Sequence, residues 1–206
     1  MKNLFTILVL SFNLTFAGKV ARVSSIEVTE IKNFSSYSPE VKNFIAKSLS
    51  LTKENLTYLY GGNSPKQKGM DCSGTTQYAA SLVGLGIPRQ ANYQYKWLKK
   101  IGRITDVTDV HTFDNKQLQN LKPGDMLFWS GTYKINRRIT HNMIYLGIEK
   151  KTGKPIMFGS SDGRRHNGKR ITGVSVFDFK LPRKGKRAKF VAFGTLPLKK
   201  LTTSSD

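Results

Sequence analysis

One cysteine, Cys72, and three histidines, His111, His141 and His166, are the side chains in this 206-residue sequence best suited to nucleophilic chemistry. A single thiol has no disulfide partner within its own chain, so it is either inert and buried, paired with another molecule, or used as a thiolate. The context of Cys72 points to use. It follows a loop broken by Gly61, Gly62, Pro65 and Gly69 and opens a helix predicted over roughly residues 73–83, closed by Gly84 and Gly86. Unpaired N–H groups and the helix dipole at such a position favour an anion, so a lowered thiol pKa and a nearby oxyanion site are expected. A thiolate also needs a proton shuttle. His141 begins the apolar stretch His141-Asn-Met-Ile-Tyr-Leu-Gly-Ile and stands at the mouth of a core strand, whereas His111 and His166 fall in loop-like sequence and are expected on the surface. Other readings stay open: Cys72 as a small buried hydrophobe, His141 as a satisfied core histidine, Asp71 as a helix cap and Tyr58 as packing.

The elements that position these residues follow from the rest of the pattern. Ser38, Pro39 and Glu40 open a helix in which Val41, Phe44, Ile45 and Leu49 recur at helical spacing to about Glu54. A third helix is predicted over residues 91–99. After Arg103 come short strands beginning near Asp125, His141, Lys154, Gly173 and Lys189, with a hairpin-like Lys-Thr-Gly-Lys at 151–154. Helices first and strands afterwards describe an α+β domain with a mainly antiparallel sheet of five to six strands.

Residues 1–17 carry one lysine, an apolar run from Leu4 to Leu14, and Thr15 and Ala17 at cleavage-site spacing. They read as a signal peptide, so the mature chain is expected in the periplasm or outside the cell. Residues 18–37 are read as an N-terminal arm, 38–198 as the catalytic domain and 199–206 as a polar tail. No stretch approaches the about 20 apolar residues of a membrane span. With 34 Lys and Arg against 13 Asp and Glu, the formal charge is +21. An exported protein with that excess meets anionic envelope polymers first, or else carries a solvated basic face. The densest run is Arg183, Lys184, Lys186, Arg187 and Lys189. Lys/Arg and aromatics are not interleaved as in a nucleic-acid stacking platform, so no nucleic-acid partner is expected. One cysteine and three scattered histidines supply no metal site.

The segments Tyr58-Leu-Tyr-Gly-Gly, Ser64-Pro65, Gly69-Met-Asp71-Cys72-Ser73-Gly74, Gly86-Ile-Pro88-Arg89, Leu121-Lys-Pro-Gly124-Asp125-Met-Leu-Phe128 and His141-Asn-Met-Ile-Tyr-Leu-Gly147, in this order and spacing, resemble the NlpC-type cell-wall peptidase family over about residues 40–160. The resemblance implies a papain-like fold and a monomeric, cofactor-free hydrolase cutting amide bonds in peptidoglycan peptides, commonly between D-glutamate and a diamino acid. It places Cys72 as nucleophile, His141 as base, and Tyr58, Asp71, Ser73 and Arg89 around the bound peptide. One departure stands out. The family's third polar residue, which orients the imidazole, aligns with Phe158, which accepts no hydrogen bond. Ser160, two residues on, is the expected substitute on the same strand face. The departure keeps a second reading open, an inactive wall-binding module on the same fold.

Overall fold

The structure is a computed structural model and describes residues 20–199. The leader expected over residues 1–17 and most of the polar tail lie outside the described residues. Three α-helices, α1 (Pro39–Ser50), α2 (Cys72–Ser81) and α3 (Ala91–Lys100), pack on one face of a sheet. Pro39 at the first helical position and Glu40 in the first turn suit the start of α1, which tightens into a 3-10 turn, Leu51–Glu54, as it ends. The loop before Cys72 is more ordered than its glycines suggest: β1 (Thr57–Tyr58), β2 (Asn63–Ser64) and β3 (Gly69–Met70) form a small sheet in the order β1-β3-β2.

The main sheet is built from β4 (Ile104–Asp106), β5 (Met126–Ser130), β6 (His141–Ile148), β7 (Pro155–His166), β8 (Lys169–Asp178) and β9 (Lys189–Gly194). Its order is β4-β9-β5-β6-β7-β8 and every pairing is antiparallel, so the α+β architecture anticipated from the sequence is what forms. Alternation divides the strands between two cores. Phe128, Ile144, Leu146, Phe158, Val174 and Val176 face the helices, while Leu127, Trp129, Met143, Met157, Phe177 and Phe190 fill the other face under the segments carrying Val107, Val110 and Phe179.

Residues 20–37 do not hang free. Arg22 exchanges two backbone hydrogen bonds with Thr172 and the Ser24 carbonyl accepts from Val176 N–H, so this segment runs along the otherwise open edge of β8. Ile26 is buried in this segment, and so is Ile31, which is bridged to Glu149 just after β6. His166, expected on the surface, is only 5% exposed: its Nδ1 lies 2.6 Å from Ser24 Oγ and its Nε2 3.3 Å from Glu149. The sequence reading failed there because β7 runs on to His166, through residues too polar to announce a strand.

Candidate active site

Helix α2 places Cys72 at its first position, with Asp71 as N-cap accepting from Gly74 N–H at 2.7 Å. The first turn of the helix lies tight against the glycine loop. A Cβ on Gly74 would stand 2.1 Å from the Gly62 carbonyl oxygen, so only glycine admits this approach, and Asp71 N–H donates to that same carbonyl at 3.0 Å. Asp71 is further fixed by Arg89, whose Nη1 and Nη2 donate to Oδ1 and Oδ2 at 3.0 and 2.8 Å in a two-pronged pair. Arg89 also donates to the Gly62 carbonyl and to Ser73 Oγ. The four residues expected around a bound peptide, Tyr58, Asp71, Ser73 and Arg89, do come together: with Cys72 they line one groove of about 310 Å³, alongside Tyr60, Asn92, Tyr133 and Arg137.

His141 enters from β6, whose first pairing sets it opposite Trp129 of β5. The backbone N–H groups of Ser73 and of Asn142, the residue following His141, lie close enough to Cys72 Sγ to lower its pKa, so the sulfur stands beside the β6 backbone next to the base candidate, while the His141 ring itself is outside the lining of the Cys72 groove. Behind them the Asn142 amide donates to Thr76 Oγ1 at 3.0 Å and to Gln94 Oε1, and Gln94 donates to the Ser73 carbonyl at 3.0 Å. This buried amide network pins the first turn of α2 to the start of β6.

The electrostatics differ from the expectation. Burial, with the Asp71 carboxylate second, pushes the Cys72 thiol up to about 11, outweighing the backbone N–H groups and Arg89 that pull it down. Burial and then the Arg164 cation hold His141 well below its usual range. At neutral pH the pair therefore rests as thiol and neutral imidazole. The helix terminus is real, but Cys72 is only 7% exposed and its sulfur sits beside a carboxylate, and neither fact follows from spacing alone.

The hydrogen bond anticipated between Ser160 and the imidazole is not formed. Ser160 Oγ donates to the Met70 carbonyl at 2.7 Å, and His141 Nε2 is buried without a hydrogen-bond partner. The reason is parity. His141 and Ile144 are three residues apart and project to opposite faces; Phe158 pairs with Ile144, so Phe158 and Ser160 belong to the helix-facing side. What contacts His141 instead is Trp129, ring centroids 5.7 Å apart, and the same indole carries the guanidinium of Arg164 at 4.6 Å from its centroid. The structure thus adds residues that spacing did not single out: Trp129, Arg164, and the Asn142–Gln94–Thr76 network.

Comparison with known proteins gives these contacts a setting. The γ-DL-glutamyl hydrolase of Bacillus subtilis (strain 168) is 35% identical over 91 residues, 44% of this chain and 18% of that protein. The bifunctional muramidase/DL-endopeptidase CwlT of the same organism is 33% identical over 113 residues, 55% of this chain and 27% of its own length. The chain thus spans less than a third of either relative. Among solved structures, the peptidoglycan hydrolase RipB of Mycobacterium tuberculosis aligns with a TM-score of 0.46 and 22% identity, over 78% of this chain and 65% of that one. Residues 55–173, more than half of the sequence and the stretch that holds both Cys72 and His141, match the NlpC/P60 family, and the chain belongs to that family.

Proposed function

We propose that this chain is an exported cysteine endopeptidase that hydrolyses amide bonds in peptidoglycan stem peptides, with the bond between D-glutamate and the diamino acid as its target and residues 38–198 as the catalytic domain. The observation that carries this reading is the meeting of α2 and β6: a sulfur at a helix N-terminus, held by the Asn142 N–H beside His141, and opening on the groove lined by Tyr58, Asp71, Ser73 and Arg89. The names of the two curated relatives support the substrate class.

In the mechanism, His141 takes the thiol proton as Cys72 Sγ bonds to the carbonyl carbon. The carbonyl oxygen becomes an oxyanion facing the N–H groups at the start of α2. Collapse breaks the C–N bond while His141 returns the proton to the leaving amine, leaving a thioester. Water, deprotonated by His141, then releases the acid and restores the thiol. Because the pair rests neutral, the imidazole acts as a general base during attack rather than as the partner of a standing thiolate. Trp129, backed by Arg164, keeps the imidazole in place where the family's third residue is missing. The Tyr58 hydroxyl, held protonated by burial, is a donor to the bound peptide.

Incubating the protein with purified wall peptides and reading new amino termini by mass spectrometry tests this. Wild type should release them, and Cys72→Ala should lower the rate at least about a thousandfold. The unpartnered His141 Nε2 favours the second reading, an inactive wall-binding module; retention on walls with no release by wild type would decide for it.

A further inference from the structure

A second groove, about 560 Å³ in volume, lies beside the catalytic one and is lined by Arg137, Arg138, Arg183, Lys184, Lys186 and Lys189. The one carboxylate in its lining is Asp109. Arg138 is paired with Asp106 at 3.0 Å, but Arg183, Lys184, Lys186 and Lys189 make no ion pair among the described residues. The wall that carries them is fastened at three places. Arg187 donates to the carbonyls of Gly131 and Thr132 at 2.9 and 3.3 Å, His111 Nδ1 lies 2.7 Å from the Pro182 carbonyl oxygen, and Phe190 is buried in β9. Crowding unpaired like charges around a fixed concavity repels and does nothing for the fold, so it needs an anion to neutralise it. The segment also lies beyond residues 55–173, outside the part shared with the family.

We propose that this groove is a docking site for a linear polyol-phosphate polymer of the cell envelope. Repeated phosphodiesters match a row of cations, and a polymer without bases matches the walls. Phe190, the one Phe, Tyr or Trp in the lining, is 2% exposed and packed edge-on against Trp129 and Phe179, and the His111 imidazole is tied through Nδ1 to the Pro182 carbonyl, so the groove offers no Phe, Tyr or Trp platform for a base. Arg137 lines both grooves and donates to Gln90 Oε1 at 2.8 Å at the rim of the catalytic one. A polymer strand in the basic groove therefore lies alongside a peptide in the catalytic groove. The docking stands without the proposed activity; its use in bringing the enzyme to its substrate rests on that activity.

Fluorescence anisotropy with labelled poly(glycerol phosphate), on full-length Cys72→Ala protein, tests the docking. Replacing Arg183, Lys184, Lys186 and Lys189 together by Ser should weaken binding at least about tenfold and flatten the salt dependence by about two to three units of log K per log salt. All four are exposed, and circular dichroism and the thermal midpoint should not move. The same number of charges removed at Lys47, Lys100, Lys150 and Lys151, exposed and away from the groove, should leave affinity within about twofold. Equal affinity in the two variants overturns the site. Tighter binding of charge-matched poly-γ-glutamate or single-stranded DNA overturns the ligand class. In the catalytically intact background, the groove variant should cleave a short soluble wall peptide at the wild-type rate and polymer-bearing walls more slowly. If wild type cleaves neither substrate, the proposed activity fails and the anisotropy result still decides the docking site.

Discussion

The two parts of the candidate site, around Cys72 and around His141, are held by different physics. On the nucleophile side Asp71 accepts five hydrogen bonds, from Gly74 N–H, Gly61 N–H, Ser73 Oγ and both prongs of Arg89, and each is directional. On the base side His141 has its Nε2 bare, as is Trp129 Nε1 beside it, and the imidazole is held by the shape of its surroundings. Hydrogen bonds fix an angle and fail abruptly when one partner goes, leaving the rest unsatisfied. Packing fixes a volume and tolerates a substitute of the same size. The nucleophile side should therefore be fragile toward loss of polar atoms, and the base side toward loss of bulk.

The largest expected effect tests the fragile side. Asp71→Ala removes the cap of α2 and strands Arg89 and the Gly61 N–H, which should cost about 3 kcal/mol in urea unfolding. Arg89 is 29% exposed and can rehydrate, which keeps the loss below that of a fully buried pair. His141→Phe, by contrast, removes an unsatisfied nitrogen and keeps a ring against Trp129; its midpoint should match wild type within about 1 kcal/mol at pH 7. A loss as large as that of Asp71→Ala would mean that His141 is bonded rather than merely packed. Below pH 6.5 the two proteins should diverge. The unfolded chain protonates its histidine first while the folded His141 stays neutral, so wild type loses stability as pH falls and His141→Phe lacks that contribution.

The next effect concerns the thiol. With Cys72 pushed up to about 11, its alkylation by iodoacetamide should rise about tenfold per pH unit, roughly a hundredfold from pH 7 to 9. Asp71 raises this pKa, so Asp71→Asn should react faster at pH 7 than wild type. A rate flat between pH 5 and 8 would reveal a standing thiolate–imidazolium pair and sink the neutral resting state.

This contrast also marks what the sequence could disclose. The Asp71 cluster is local or nearly so, within the Gly-Gly loop, the Asp-Cys-Ser-Gly turn and the Pro-Arg that follows α2, and all of its members are visible as motifs. The three helices and the five longer strands of the main sheet are legible because their apolar spacing is regular, whereas the two- and three-residue strands β1 to β4 are too short to show a period. The surroundings of His141 were hidden, since they depend on which face each strand residue takes after register shifts. Arg164 sits where the β7–β8 register slips between Asp162 and Arg165, with Gly163 at a φ of +107°, and a bulge of this kind re-aims a side chain with no trace in the alternation. Alternation from Phe158 leads to Ser160, which shares with it the helix-facing side and not that of the imidazole. Burial depth, which sets the pKa of Cys72, is likewise a property of the assembled layers.

The smallest expected effect sharpens the base side. Arg164 stacks on the Trp129 indole that contacts His141, and its own guanidinium is pulled down to about 10 by burial. Arg164→Gln should lower kcat about tenfold with little change in KM, as expected when a group positions the base without binding substrate. Arg164→Lys should recover part of the loss, because an ammonium still sits over the indole but lacks the flat guanidinium. A stability defect alone would move neither the pH profile nor this rescue. Removing the cation also removes one of the two influences holding His141 low, so the acid limb of kcat/KM should shift to higher pH in Arg164→Gln and less in Arg164→Lys. An acid limb that stays in place while kcat falls would mean that Arg164 acts on the sheet and not on the imidazole.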